Sequence, residues 1–433
     1  MEIGVSKKDG LFLIVCLLLG VLAEESFFKG IIGISYLLFV MAFYAVFFWR
    51  YRGFSFSHQR FGYLVVICIW LLSVGYVLND NILFYVLNIM GIPGLVIFHL
   101  VLVTSPKHFR WNQPAFIPYI FTRLIDSVKF NAAFTSTVGK LARKGEYEHK
   151  VLVWKKILIG VVISLPVLAL VLHLLMTADS QFAAMLGDVP NLLQRVNGET
   201  VFRLIVVFLF MGAFFGLLQT LLFKQIKVIK YENWRFSLTL DTVISITMLV
   251  LINAVYILFT IVQFKYFFSG SLQGNYTFAE YARKGFFELL FVTLINLTIT
   301  IVMVTFGDRA QNGIKILKAL LTILVLSSGV MLSSAFLRLN MYEEAYGFSF
   351  TRVLVHSFMI FLVVIFTYTL IKIWVEKLSL FHFYFVTSLI YYTSINVIDL
   401  DRIVVKENIT RYEETAKLTH ITLADYRLQV CSH

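Results

Sequence analysis

Three short stretches of this sequence gather acids, cations and tyrosines at spacings suited to binding or reaction. In "YTFAEYARKGFFELLFVTLI" (Tyr276 to Ile295), Glu280, Lys284 and Glu288 recur at every fourth residue, so on a helix they stack along one side and can pair. Tyr281 shares that edge and Arg283 lies beside it. In "LRLNMYEEAYGFSFTR" (Leu337 to Arg352), Arg338, Tyr342 and Tyr346 fall on one side at helical spacing, next to Glu343. Gly347 stands where a helix would end in a left-handed cap. The third stretch, "NVIDLDRIVVKENITRY" (Asn396 to Tyr412), carries Asp399, Asp401, Arg402, Asn408, Arg411 and Tyr412. Carboxylates beside arginines form charge-assisted hydrogen bonds, so such a set either ties helix ends together or holds a polar or charged ligand. Carboxylates converging in a dry cleft would be the catalytic version.

Metal chemistry finds less to work with. The histidines inside apolar runs are His99, His173, His356 and His382. The span layout below puts His99 and His382 near one membrane face and His173 and His356 near the other. At 1.5 Å per residue the pairs are roughly 20 Å or more apart. His173 and His356 could meet beside Glu288 or Glu343, which is a partial ligand set, and no metal is expected. Cys16, Cys68 and Cys431 have no ligand spacing. There is no phosphate-binding glycine loop, no HExxH and no GxSxG. No cofactor is expected.

The elements that must position these groups follow from composition. Of 433 residues, 59% are hydrophobic and 14% charged, against about 25% charged in a soluble domain. That is too little charge to cover a water-facing surface. Apolar runs of about 17 to 25 residues, the length needed to cross roughly 30 Å of hydrocarbon, recur along nearly the whole chain. The expected fold is all-α, a polytopic transmembrane helix bundle of about 11 spans. The predicted spans are Leu11–Ala23, Phe28–Trp49, Gly62–Leu78, Ile82–Thr104, Ile157–Met176, Val201–Phe223, Thr242–Gln263, Gly285–Phe306, Leu317–Phe336, Val353–Ile371 and Leu380–Ile398. Lys7, Lys8 and "VLA" resemble a cleavable leader, but a second span follows at once, which favours an uncleaved first helix.

Lys and Arg fix the expected orientation. With the N-terminus inside, the inner loops and span ends hold 24 of the 37 Lys and Arg and 9 of the 25 Asp and Glu, a net +15. The outer side then carries net −3, and the two recover the chain's +12. The basicity is an anchoring signal, and no nucleic acid partner is expected. The layout divides the chain into a four-helix membrane segment (1–104), a basic cytoplasmic loop (105–156), a seven-helix membrane core (157–398) and an extracytoplasmic tail (399–433). Within the loop, "FIPYIFTRLIDSVKF" places Ile117, Phe121, Leu124, Ile125 and Val128 along one side, with Arg123, Asp126 and Lys129 towards the other. That pattern predicts an interfacial helix against anionic lipid. All three charged stretches then fall on the outer face as one polar cap.

The segments "FAEYARKGFFELL", "LRLNMYEEAYGFS" and "NVIDLDRIVVKENITRYEETAKL" resemble, in this order, signature stretches of uncharacterised bacterial multi-pass membrane proteins, the domain-of-unknown-function group 4153/4173. The resemblance covers most of the chain. It implies architecture and a bacterial inner or plasma membrane, and it brings no activity. Members of the group continue past the third motif with a tail rich in Asp, Leu and Ser, where this chain reads "LTHITLADYRLQVCSH". Some similar proteins carry the label of a beta-carotene oxygenase, which needs several histidines on one iron; the histidine placement gives that label no support. The expected role is therefore non-enzymatic: sensing, assembly or binding of a protein partner in the envelope. The alternative is a transporter of a small polar or lipid-like solute. It rests on the Gly-Pro break in "NIMGIPGLVIF" and on Asn253, Asn296 and Gln219 inside spans. A membrane-embedded enzyme acting on lipid or glycan comes third.

Overall fold

A computed structural model describes residues 7–30, 32–78, 81–107, 109–113, 115–143, 198–222, 240–269, 286–306 and 313–413, with Leu175 alone between them. Every element among these is a helix: α1 (Lys7–Phe28), α2 (Ile34–Arg50), α3 (Gln59–Leu78), α4 (Ile82–Thr104), α5 (Phe116–Arg143), α6 (Gly198–Leu222), α7 (Thr242–Ser269), α8 (Phe286–Phe306), α9 (Ile314–Tyr346), α10 (Phe350–Trp374), α11 (Leu380–Val397) and α12 (400–413). Eight of them are long and apolar enough to cross a membrane: α1, α3, α4, α6, α7, α8, α9 and α10. The fold is the expected helical membrane bundle. The predicted span Ile157–Met176 lies outside the described residues. Two compact units divide the chain, Met1–Trp234 and Arg235–His433.

In the first unit, α6 packs along α1 and α5. Polar residues close both ends of the α1–α6 pair. At one end Arg50 Nη2 contacts Asp9 Oδ1 at 3.2 Å and donates to Gln219 Oε1 at 2.9 Å, while Gln219 Nε2 donates to Asp9 Oδ1 at 2.8 Å. At the other end Arg203 lies 3.5 Å from Glu24 and 2.9 Å from Glu199. These pairs explain why α1 is longer than the apolar run Leu11–Ala23. A charged residue can extend a membrane helix where a partner neutralises it, and Asp9 and Glu24 both have one.

The predicted stripe of α5 is present, with Ile117, Phe121, Ile125 and Val128 exposed. Of the residues predicted on the polar side, Lys129 is exposed and Asp126 half-buried, but the strip through Arg123, Ser127 and Phe130 is buried. It packs on α6, and Arg123 is only 2% exposed, both Nε and Nη2 donating to Tyr119 Oη at about 3 Å. Ser127 and Asn131 meet α6 at Gly212 and Gly216, where Asn131 Nδ2 donates to the Gly212 carbonyl at 2.7 Å. Small residues let backbones approach where no hydrophobic drive separates helix from lipid, and this pair does so for α5.

In the second unit α9 is the axis, with α7, α8 and α10 around it. Leu321, Leu324, Val325, Met331 and Leu332 of α9 bury against Leu289 and Met303 of α8 and Met359 and Leu362 of α10. A chain of side-chain bonds crosses three helices: Tyr256 Oη donates to Asn296 Oδ1 at 2.7 Å, and Asn296 Nδ2 donates to Ser328 Oγ at 2.9 Å. Asn253 Nδ2 donates to the Leu320 carbonyl at 3.0 Å. Amides sitting deep in these spans thus serve as interhelical ties.

α9 continues past Phe336, where the predicted span ends, to the helix end expected at Gly347. It runs 33 residues without a break to Tyr346, about 50 Å at 1.5 Å per residue and well beyond the roughly 30 Å of a hydrocarbon core. Its last turns are amphipathic, not apolar, so the helix continues where the membrane-type composition ends.

Candidate functional site

The end of α9, the start of α10 and α12 come together as a polar cap on the second unit. Gly347 ends α9, its N–H donating to the Glu343 carbonyl at 2.7 Å. Its φ of 78° is the expected positive angle, but ψ is −179°, outside the left-handed helical region and in one essentially reserved for glycine. That turn carries Phe348 towards α12. There Asn408 grips the Phe348 backbone on both sides, Oδ1 accepting from the N–H at 2.8 Å and Nδ2 donating to the carbonyl at 2.9 Å. Arg411 donates to the Glu344 carbonyl and Arg352 to the Gly347 carbonyl. Both cations thus bind the otherwise open carbonyls at the α9 terminus, where the helix dipole favours positive charge. The Arg352 guanidinium also lies 4.2 Å from the centre of the Tyr342 ring, and Tyr342 packs on Tyr346 at 4.9 Å.

Beneath this turn is a buried acid–imidazole pair. Glu343 is 4% exposed, and its Oε1 lies 3.1 Å from His356 Nδ1. The imidazole packs edge-on to Phe336 at 4.5 Å, and its Nε2 is buried without a hydrogen-bond partner among the described residues. A carboxylate at one ring nitrogen fixes the orientation of the other, so the pair joins α9 to α10 with a defined geometry. Among the described residues no three His, Cys, Asp or Glu side chains come together as a metal-ligating group.

The sequence-predicted residues separate as follows. Arg338, Tyr342, Glu343, Asn408 and Arg411 belong to this cap, Arg338 buried at 7% exposure. Asp399 is exposed and accepts the Arg402 N–H at 2.9 Å, an N-cap for α12; Arg402 itself is exposed. Glu288 is exposed in the first turn of α8. Glu280, Tyr281, Arg283 and Lys284 lie outside the described residues. Two of the three charged stretches are therefore joined. Arg352 is the residue that pattern reading passed over, because its partners are a ring and a carbonyl in the preceding turn.

A family model matches residues 66–429. The chain belongs to the family described as Domain of unknown function (DUF4153). The match contains all three charged stretches and begins within α3, leaving α1 and α2 before it. No curated protein and no solved structure matches the chain. The family membership agrees with the resemblance carried by the three motifs and assigns no activity.

Proposed function

We propose that this multi-pass membrane protein works non-enzymatically, as a sensing, assembly or partner-binding component of a bacterial cell envelope, through the polar cap of its second unit on the extracytoplasmic side. The observation that carries this reading is the Asn408 grip on Phe348. Together with Arg352 and Arg411 it ties three polar side chains of the cap to backbone atoms, which supports a rigid platform. The platform presents Tyr346 and Tyr412, 60% and 77% exposed, with the exposed Glu344 near the same turn. Exposed tyrosines with a charged surround are the composition of a recognition surface. A photocrosslinking residue placed at Tyr346 or Tyr412 in living cells should yield a discrete adduct, and Asn408→Ala should erase it while membrane insertion persists. A smear indistinguishable from that at a lipid-facing site such as Val363 would reject the reading.

Handling of a lipid-like solute is the second reading, favoured by an apolar cavity in the first unit. Passage of a small polar solute has weaker support, since Asn296 and Gln219 each bond through both amide atoms to neighbouring helices.

A further inference from the structure

The first unit contains a cavity of about 520 Å³ enclosed by α1, α2, α4, α5 and α6. Its walls are aromatic and aliphatic, with Phe39, Phe43 and Phe214 among them. Along α6 it extends from Phe208 to Leu217, about 14 Å at 1.5 Å per residue. Its volume falls in the range of about 300 to 1,000 Å³ usual for ligand sites. Pro93 of the continuous helix α4 lines it, placing a residue without a backbone N–H at the cavity wall.

Two observations point to an occupant. The first is the entrance. Val128 and Leu209 line the cavity and are themselves 69% and 67% exposed. Leu209 stands in the middle part of a membrane-type helix, so the opening faces the depth of the hydrocarbon layer, and what enters comes from the bilayer. The second is polarity. Tyr36 and Ser127 also line the cavity, and they are 1% and 6% exposed. Neither hydroxyl makes a hydrogen bond to a described residue, although buried hydroxyls are normally satisfied. Asn131, one turn from Ser127 on α5, also lines the cavity, with one amide hydrogen committed to Gly212. An apolar chamber that holds two unsatisfied hydroxyls suits a molecule that is mostly hydrocarbon with one or two small polar atoms. A fully saturated hydrocarbon would leave both hydroxyls unpaired, and a charged headgroup would meet no counter-charge on the lining.

We propose that this cavity is a binding site for the chain of a neutral membrane amphiphile bearing a hydroxyl or carbonyl group, admitted sideways from the bilayer, with the Tyr36 and Ser127 hydroxyls supplying the hydrogen bonds for its polar group. The chain is acyl or isoprenoid. The site lies wholly in the first unit, and the proposal is independent of the cap reading.

The test uses the full chain in phosphatidylcholine vesicles and a photoreactive diazirine analogue of hexadecanol. Labelling should saturate and map to Tyr36–Phe43 and Phe208–Leu217. Unlabelled hexadecanol or geranylgeraniol should compete, the better competitor identifying the chain type, and hexadecane should not. Val96→Trp, which fills the chamber, should reduce labelling to that of bulk lipid with an unchanged elution profile; Val40→Trp serves if the first variant misfolds. Ser127→Ala and Tyr36→Phe should each weaken competition by the alcohol about three- to tenfold. Non-saturating label spread over lipid-facing positions such as Ile14 and Leu38, equal competition by hexadecane, or full labelling of a folded Val96→Trp protein would each overturn the proposal.

Discussion

Gly347 combines two demands that only glycine meets. Its φ and ψ are disfavoured for other residues, and a Cβ there would lie 2.8 Å from Asn408 Oδ1 and 2.9 Å from Arg411 Nη1. Gly347→Ala should therefore destabilise the second unit by about 1 to 3 kcal/mol, read as a lower midpoint in thermal unfolding of the detergent-purified protein. Asn408 offers a graded test of the grip on Phe348. Asn408→Ala removes both bonds and should cost about 1 to 3 kcal/mol. Asn408→Asp keeps the acceptor for the Phe348 N–H but sets a carboxylate against its carbonyl, so protease resistance of the α9–α10 turn should fall even though the side chain is nearly isosteric. This pairing was illegible in the sequence. Asn408 and Phe348 are 60 residues apart, and a side chain gripping a backbone leaves no complementary residue type to find. The Arg338, Tyr342 and Tyr346 spacing was legible because a helix imposes it.

Among the helices, α5 and α6 make the sharpest case. A Cβ on Gly216 would come within 2.5 Å of Asn131 Nδ2 and 2.7 Å of Ser127 Oγ. The Asn131 amide cannot swing away without losing its bond to Gly212. Gly216→Ala should loosen this packing by about 1 to 2 kcal/mol, whereas Gly94→Ala, with no atom within 4 Å of the new carbon, should not lower the unfolding midpoint, alanine being the better helix former. In the second unit, Asn296→Leu severs the link from Tyr256 to Ser328 and should cost on the order of 1 kcal/mol, since single interhelical bonds in bilayers average about 0.6 kcal/mol. Eight span positions were readable because hydrocarbon tolerates only long apolar runs, whereas α2 and α11, also predicted as spans, are helices that fall outside those eight. The extension of α9 showed in other signals, the helical spacing of Arg338, Tyr342 and Tyr346 and the position of Gly347, because these amphipathic turns end the apolar run without ending the helix. For α5, periodicity showed the stripe of Ile117, Phe121, Ile125 and Val128, yet it could not show that the side bearing Arg123 would be covered by protein.

For the molecule as a whole, the distribution of Lys and Arg gives the expected sidedness. In a background without native cysteines, single cysteines at Glu199, Glu344 and Thr410, all exposed, should react with an impermeant maleimide from the extracytoplasmic side. Cysteines at Arg52 and Lys377, also exposed, should react only after the membrane is opened. Mixed labelling within either set would refute the N-inside layout. The 33-residue continuity of α9 has a mechanical corollary. One end of that rod is tethered near Lys318, whose ammonium lies 2.8 Å from Glu376, and the other carries the turn at Gly347. A pivot of ten degrees about the tether would carry the far tip, about 42 Å away, through roughly 7 Å, so a small tilt at the Lys318 end becomes a displacement of several ångströms at the water-exposed tyrosines.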